Sequence, residues 1–154
     1  MIPVKAPIQQ NHFIVLQSSL DHYLGKKNPQ IDSSKNPIEI DYDLYFHDEF
    51  GRHVFRIIMT VKGNSKKSVN GYVFSIKVGA EYTLSEEIEV DSEQYWTYIR
   101  NTGVACLLNE VRIYLQSLTA FSVFGPYLLP MIDMNDLSRQ KNELAHSEEA
   151  KISQ

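Results

Sequence analysis

The chain has 154 residues, of which 43% are apolar and 22% charged, and its formal net charge is −4. These values are typical of one folded globular domain. The longest cationic cluster, Lys66-Lys67 with Lys62 nearby, is too small for the basic surface that nucleic acid binding requires. No apolar run approaches the roughly 18 residues of a membrane span, and the N-terminus has no signal-peptide core. We therefore expect a cytoplasmic protein that does not bind nucleic acid and does not insert into a membrane.

Cysteine and histidine give little sign of metal or redox chemistry. Cys106 is the only cysteine, which excludes an intrachain disulfide and a multi-cysteine zinc site. Its apolar, helix-patterned surroundings predict a buried, unreactive thiol. His47, Asp48, Glu49 and His53 flank a predicted hairpin turn, but the turn itself explains their polarity. We predict no metal site and no cofactor.

The N-terminal half predicts four successive strands. An apolar run over 13–24 predicts the first, and a long polar connection follows from Gly25 to Pro37. The second strand alternates most clearly, with one apolar face formed by Ile38, Ile40, Tyr42, Leu44 and Phe46. The runs 53–63 and 71–84 predict the third and fourth strands, joined by turns into an antiparallel meander.

The opposite face of the second predicted strand carries a row of acidic side chains. Such a row is most often a solvated sheet face, and it could alternatively dock a partner protein. The candidate docking residues are Glu39, Asp41 and Asp43.

A long helix is predicted from about residue 92 to residue 122, with Asp91 as a possible N-cap. Apolar residues step by four and three along it, at Val104, Leu108, Val111, Leu115 and Leu118. One sheet face is not enough to cover this helix, so a second copy of the chain is a natural partner. The predicted interface residues are Gly103, Cys106, Ile113, Tyr114, Ser117 and Ala120.

The segment FGPYLLPMIDMNDL, residues 124–137, is apolar but carries two prolines. Proline disrupts both helix interiors and central strands, so the segment predicts an irregular apolar connection. A short second helix follows, and residues 142–154 predict a polar, mobile tail beyond a single domain of residues 1–141. No nucleophile elbow, phosphate loop, HExxH or cysteine pair is present, so we do not predict an enzyme.

The order of these elements, and above all residues 107–137, resembles the SecB family of export chaperones. In that family, a leucine- and aromatic-rich helix carrying an arginine precedes a Pro- and Leu-rich stretch and a last helix. The positions that fit this pattern are Arg112, Leu118, Pro126, Leu129, Pro130, Ile132, Asp133, Met134 and Leu137. The resemblance implies an α+β fold with a four-stranded antiparallel sheet, a long helix, a Pro-rich apolar loop and a short C-terminal helix.

The resemblance also implies a homotetramer, a dimer of dimers, that holds unfolded client polypeptides in apolar grooves without ATP. One groove wall is expected in the Pro-rich loop and the other in the polar connection after the first strand. We assign polypeptide binding to Tyr23, Leu24, Ile31, Phe124, Tyr127, Leu128, Met131 and Met134. Methionine suits this use because its flexible side chain adapts to many partners. The alternative is that these residues simply close the core.

Two departures from the family concern its partners. Family members that dock on the translocation ATPase carry acidic residues on the first strand, where SSLDHYLGKK offers only Asp21, and the C-terminal tail is only weakly acidic. Two chaperone roles therefore stay open, protein export with the translocation ATPase and the protection of one dedicated client such as a toxin–antitoxin pair. A non-catalytic scaffold or ligand-binding protein is a further alternative.

Overall fold

A computed structural model of the protein describes residues 4–25, 31, 33–47 and 51–152. Four strands form one antiparallel sheet, as predicted, and the α+β class is confirmed. The strands are β1 (Ile8–Tyr23), β2 (Ile38–His47), β3 (Gly51–Gly63) and β4 (Gly71–Leu84).

The sheet order is β1-β4-β3-β2, so the first two strands lie at opposite edges. The meander β2-β3-β4 follows from the two turns, while β1 pairs with β4 from Ile8 to Tyr23. The chain between β1 and β2 must therefore pass from one edge of the sheet to the other. This crossover includes a 3₁₀ turn at Ser33–Lys35 and brings Asn36 to the ends of β3 and β4.

A continuous helical run follows the sheet and covers one of its faces. It consists of α1 (Glu93–Thr97), a π-helical segment (Tyr98–Gly103) and α2 (Val104–Thr119). The N-cap is Ser92, whose hydroxyl accepts a hydrogen bond from the Tyr95 N–H at 3.1 Å. The predicted cap, Asp91, is wrong by one residue because its φ of +65° belongs to the turn before the helix.

The core lies between the helical run and the sheet. The predicted stripe on α2 faces the sheet, since Val104, Val111 and Leu115 are fully buried against alternate residues of β3 and β4. At the start of α2, a Cβ atom on Gly103 would lie 3.1 Å from Cδ1 of Ile57, so a larger residue there would require the Ile57 side chain to shift. Gly103 thus belongs to the buried face, which corrects its assignment to an interface with a second copy.

Residues 120–133, here called the connector, join α2 to α3 (Met134–Ile152). The Asp133 carboxylate caps α3 by accepting hydrogen bonds from the N–H groups of Asn135 at 2.9 Å and Asp136 at 3.2 Å. The helix begins as predicted but continues to Ile152, through most of the segment expected to be a tail. Arg139 supports this continuation, since it pairs with Asp136 one turn back and with Glu143 one turn ahead.

Across the part of the chain that is described, no helix combines the length and the apolar character needed to cross a membrane.

Candidate functional site

The connector is irregular in backbone but firmly anchored by side chains of α2. Arg112 donates from Nε to the Leu129 carbonyl at 2.9 Å and from Nη2 to the Pro130 carbonyl at 3.0 Å. Two residues before Leu129, the Tyr127 N–H donates to Oγ1 of Thr119 at 2.7 Å. These bonds take the place of the ladder that the prolines prevent, because buried backbone groups need partners of some kind. The connector is therefore a fixed wall and not a loose loop.

Side chains along the connector alternate between core and surface. Tyr127 and Leu129 are 1% and 2% exposed, whereas Leu128 and Met131 are 64% and 86% exposed. Val123, just before this stretch, is 77% exposed. The buried residues attach the connector to the domain, and the others present apolar surface to solvent.

Tyr127, which we predicted to face a client, is almost completely buried and belongs to the aromatic cluster beneath the connector. Its ring packs edge-on against Tyr72 and Phe74, with centroids 6.0 and 5.2 Å away. Burial raises the pKa of its phenol, and a hydrogen bond from Asn36 offsets part of this effect. Tyr127 is a core residue because the aromatic side chains of β4 offer it a complete packing site.

Phe124 closes the same aromatic cluster from the outer side. Its ring lies 5.3 Å from that of Tyr72 and 5.2 Å from the imidazole of His22 on β1. The Tyr72 hydroxyl also donates to the carbonyl of Gly125, whose φ of +72° turns the chain there. Both contacts hold the connector against the end of β4.

A cavity of about 260 Å³, here called the aromatic cavity, opens between the crossover and the connector. Its walls combine aromatic and aliphatic side chains with polar groups, among them Asn36, which is 8% exposed. It is lined by Ile31, Asn36, Asn70, Gly71, Tyr72, Val123, Phe124, Pro126 and Tyr127.

A second cavity of about 480 Å³ lies further along the same two walls. It has an apolar floor and an acidic rim, and a hydrogen bond from Arg139 lowers the pKa of the rim residue Asp136. It is lined by Ile38, Glu39, Ile40, Met131, Ile132, Asp133, Asp136, Leu137 and Gln140. Both cavities lie between residues 31–40 and residues 123–140, and together they are called the groove here.

A larger cavity of about 620 Å³ lies between the helical run and α3. Trp96 is the one large apolar side chain among its lining residues, which otherwise include Arg100, Asn101, Asn135 and Glu143. This lining does not suit the apolar segments of an unfolded chain, so the groove is the better candidate despite its smaller volumes.

Four of the predicted binding residues line the groove, namely Ile31, Phe124, Met131 and the buried Tyr127. Leu24 and Leu128 are exposed but line neither cavity, while Tyr23 and Met134 are half-buried beside it. The sequence reasoning missed the groove residues Asn36, Ile38, Ile40, Val123 and Ile132. Asn36 gave only a turn signal, as the residue before Pro37, and nothing in its pattern indicated burial.

The outer face of α2 carries most of the predicted interface residues. Cys106, Ser117 and Ala120 are exposed, and Ile113 is 53% exposed, whereas Tyr114 is half-buried. The prediction of a buried thiol at Cys106 is wrong, because the helix turns this position away from the sheet. The exposed residues share one side of the helix, since their spacings are seven, four and three.

The acidic row on β2 is already engaged within the chain. Lys141 of α3 donates to Asp41 at 2.7 Å and to Asp43 at 3.1 Å, and Glu39 accepts from the Ser65 hydroxyl at 2.6 Å. Desolvation by itself lowers the pKa of Lys141, but the two carboxylates outweigh it and raise that pKa above its usual value. The row therefore connects β2 to α3.

The possible metal cluster near the β2–β3 turn is only partly described. His53 contributes a ring nitrogen 2.9 Å from the Ile88 carbonyl. Asp48, Glu49 and the His47 side chain lie outside the described residues. Among the residues that are described, no group of three or more histidine, cysteine or acidic side chains could hold a metal ion.

No protein-family model matches this sequence, and no curated protein matches it significantly. Solved structures do match. A protein of unknown function from Streptococcus agalactiae is 15% identical over 81% of this chain and 97% of its own, with a TM-score of 0.47.

The stronger match is Rv1957, a SecB-like chaperone of Mycobacterium tuberculosis, whose structure was solved in complex with a ChAD peptide from the HigA1 antitoxin. It is 15% identical to this chain, covers 82% of it and 91% of its own length, and has a TM-score of 0.53. The chain therefore has a fold like that of a SecB-like chaperone.

Proposed function

We propose that the protein is an ATP-independent molecular chaperone, a holdase, which binds unfolded or non-native polypeptides in the groove. The observation that carries this proposal is the exposure of large apolar side chains beside a preformed, side-chain-anchored wall. Val123, Leu128 and Met131 are each more than half exposed along the connector, and Ile31 is 39% exposed across the aromatic cavity. Contiguous exposed apolar surface of this kind marks interaction sites.

The shape of the groove suits an extended chain. Each cavity has one wall from residues 31–40 and another from residues 123–140, and the side chains of an extended peptide alternate in direction, so such a peptide can direct every second side chain toward these walls. Met131 borders the second cavity with 86% of its side chain exposed, and methionine adapts to varied partners. The acidic rim of that cavity would favour clients with basic residues beside their apolar ones.

The direct test is capture of a slow-folding secretory precursor without nucleotide. The precursor is presented chemically unfolded and, separately, natively folded, while light scattering reports the mass of any complex. We expect the unfolded form to be captured and the native form to stay free. Equal binding of both forms, or no capture by a well-folded protein, would contradict the holdase function.

A pair of double variants tests the location of the site. Val123→Ser with Met131→Ser removes exposed apolar surface from the groove, and Val4→Ser with Leu144→Ser removes it elsewhere, at residues that are 95% and 60% exposed. Neither pair disturbs the core, so melting temperatures should be unchanged in both. Client binding should weaken at least roughly ten-fold in the groove variant alone, on the basis of about 0.8 kcal/mol per apolar group withdrawn.

Between the two chaperone roles, the structure favours one dedicated client, such as a toxin–antitoxin pair. Export chaperones of the family carry docking acids on the first strand, where this chain offers only Asp21, and on β2 Asp41 and Asp43 share an ion pair with Lys141. The SecB-like chaperone with a similar fold was solved with an antitoxin peptide. A pull-down with the translocation ATPase separates the roles, because an export chaperone should retain it and a dedicated chaperone should not.

The assembly we propose is a homotetramer, a dimer of dimers, in which the outer face of α2 packs against another copy. The exposed residues Cys106, Ile113, Ser117 and Ala120 are small or apolar enough for two helices to approach closely. Light scattering should report four chains, and Ile113→Asp should reduce that number. An unchanged mass for this variant would place the interface elsewhere.

A further inference from the structure

The cavity of about 620 Å³ between the helical run and α3, here called the polar cleft, is lined by one face of each helix. On the helical run its lining residues fall between Glu93 and Asn101, and on α3 they fall between Asn135 and Glu143. Both sets occupy positions i, i+3, i+4, i+7 and i+8, which share one side of a helix. The α3 face is thus about 12 Å long, at about 1.5 Å per residue.

The helix α3 separates the polar cleft from the groove. Leu137 and Gln140 line the second cavity of the groove, whereas Ser138 and Arg139 line the polar cleft. The linings also differ in chemistry, because Trp96 is the one large apolar side chain of the cleft. A ligand of the cleft should therefore be more polar than the apolar clients of the groove.

Arg100 supplies a positive charge to the cleft that no carboxylate neutralises. Its guanidinium carbon lies over the Trp96 ring, 5.3 Å from the centroid, and its side chain has no ion pair or hydrogen bond with any residue that the structure describes. The other arginine of the cleft, Arg139, pairs with both Asp136 and Glu143. Contact with an aromatic face positions a guanidinium without using its N–H donors, so those of Arg100 remain available.

The surroundings of Arg100 add further donors to the cleft. The side-chain amides of Asn101, Asn135 and Asn142 are exposed there, and each offers two N–H groups. Arg100 and Asn101 also lie in the π-helical segment, a rare geometry that is frequent at functional sites. A guanidinium fork together with amide donors suits a carboxylate, which accepts several hydrogen bonds at once.

We propose that the polar cleft binds an acidic segment of a partner polypeptide, a carboxylate of which accepts hydrogen bonds from the Arg100 guanidinium. The amide side chains suit the main-chain groups of such a segment, whereas small-molecule sites are lined mainly by apolar side chains. Glu93 also lines the cleft, but it precedes Arg100 by about two helical turns and so leaves that charge available. This site lies outside the groove and does not depend on the proposed function.

The experiment uses a short labelled peptide of glycine, serine and asparagine with a central run of glutamates, and a second peptide with glutamines in their place. Their affinities for the full chain are measured by fluorescence anisotropy. The formal net charge of the chain is −4, so its overall charge cannot favour the acidic peptide. The glutamate peptide should bind roughly ten-fold more tightly than the glutamine peptide, because charge-assisted hydrogen bonds are the stronger ones.

A built-in reporter shows where the peptide binds. Trp96 is the only tryptophan of the chain and lines the polar cleft. The unlabelled glutamate peptide should change its fluorescence over the same concentration range as the anisotropy signal. A peptide that binds without any change in Trp96 fluorescence binds elsewhere, and that result would overturn the proposal.

Variants assign the preference to Arg100. Arg100→Gln should lower the affinity for the glutamate peptide to that for the glutamine peptide, and Arg100→Lys should restore only part of it, because an ammonium lacks the planar pair of donors. Lys77→Gln on the exposed side of β4 is the matched control, since it removes the same charge away from the cleft and should have little effect. If Arg100→Gln fails to fold, the two peptides and the Trp96 signal on the natural chain still decide the matter.

Three further results would contradict the proposal. Equal losses in Arg100→Gln and Lys77→Gln would indicate general charge attraction and no specific site. Equal binding of the two peptides, or no binding of either, would exclude recognition of an acidic segment. Free glutamate that binds as tightly as the peptide would make the cleft a small-molecule site. None of these results affects the holdase function, which is tested with apolar clients at the groove.

Discussion

Two apolar regions of the chain have similar composition but differ in burial, since one packs into the core and the other is partly exposed to solvent. On α2, the residues Val104, Val111 and Leu115 are completely buried, and they recur at helical spacing. In the connector, Leu128 and Met131 remain 64% and 86% exposed, although Leu129 between them is 2% exposed. Apolar character alone therefore does not tell where a side chain lies.

The difference comes from how each backbone satisfies its hydrogen bonds. A helix pairs its own backbone groups, so its apolar stripe is free to turn as one surface toward the sheet. The connector pairs few of its own backbone groups, and from residue 125 onward it depends on the side chains of Tyr72, Thr119 and Arg112 for donors and acceptors. Those three side chains fix which connector residues face inward, and the others stay available to a partner.

The largest loss of stability is expected from a substitution in the buried stripe of α2. Leu115→Ala should lower the free energy of unfolding by about 2–5 kcal/mol, because it leaves a cavity in the fully buried stripe. Leu128→Ala, the same change on the connector surface, should shift it by less than about 0.5 kcal/mol. Urea unfolding at fixed protein concentration measures both. Equal losses would mean that Leu128 is covered in solution.

The next effect tests the polar anchor at Thr119. Thr119→Val keeps the shape but removes the oxygen that accepts the Tyr127 N–H, so a buried donor loses its partner. The expected loss of stability is about 2 kcal/mol in the same unfolding experiment. Thr119→Ser retains the hydroxyl and should retain most of the stability. If the valine variant is the more stable of the two, the hydrogen bond does not hold the connector.

The anchor at Arg112 should give a somewhat smaller loss. Arg112→Met removes donors to the carbonyls of Leu129 and Pro130, and hydrogen bonds from charged groups contribute about 1.5 kcal/mol at the lower end of their range. Arg112 is only half-buried, so water can replace part of what is lost. Amide hydrogen exchange should also rise at Tyr127, whose N–H is protected by its hydrogen bond to Thr119. Faster exchange without any loss of global stability would show that Arg112 orders the connector locally but does not stabilise the domain.

The smallest effect is expected at the ion pairs of Lys141, beside the second cavity. Lys141→Met should change stability by less than about 1 kcal/mol, since the partner carboxylates of Asp41 and Asp43 are 67% and 59% exposed. The stability difference between the natural chain and Lys141→Met should become smaller at high salt, because salt screens exposed charges. Lys77→Met, on the exposed side of β4, is the control. A salt-independent loss would indicate a packing role for Lys141 instead.

Much of the fold could be predicted from local patterns. Alternation predicted β2, β3 and β4, and steps of three and four predicted the buried stripe of α2, because both follow directly from strand and helix geometry. The ends of elements were less predictable. The N-cap of the long helix is Ser92 and not the predicted Asp91. The last helix, α3, extends past residue 142, because exposed ion pairs such as Arg139 with Glu143 support a helix that has no apolar pattern.

The candidate site could be predicted only in part. Two prolines among apolar residues marked the connector, and Ile31, Phe124 and Met131 do line the groove. Tyr127 and Gly103 were assigned to surfaces but are buried, and the thiol of Cys106, which was expected to be buried, is exposed on the outer face of α2. The local sequence pattern does not distinguish these residues, since their burial depends on which element, distant in sequence, packs against them.

By itself, the sequence determined the secondary structure elements, their α+β order and the presence of an apolar segment that could be neither helix nor central strand. These are short-range properties of residue spacing and of proline. Only the tertiary structure decided that β1 pairs with β4, that the crossover therefore spans the sheet, and that Asn36 meets Tyr72 and Tyr127. The groove arises from that long-range pairing, which brings residues some ninety positions apart to face each other across one cavity.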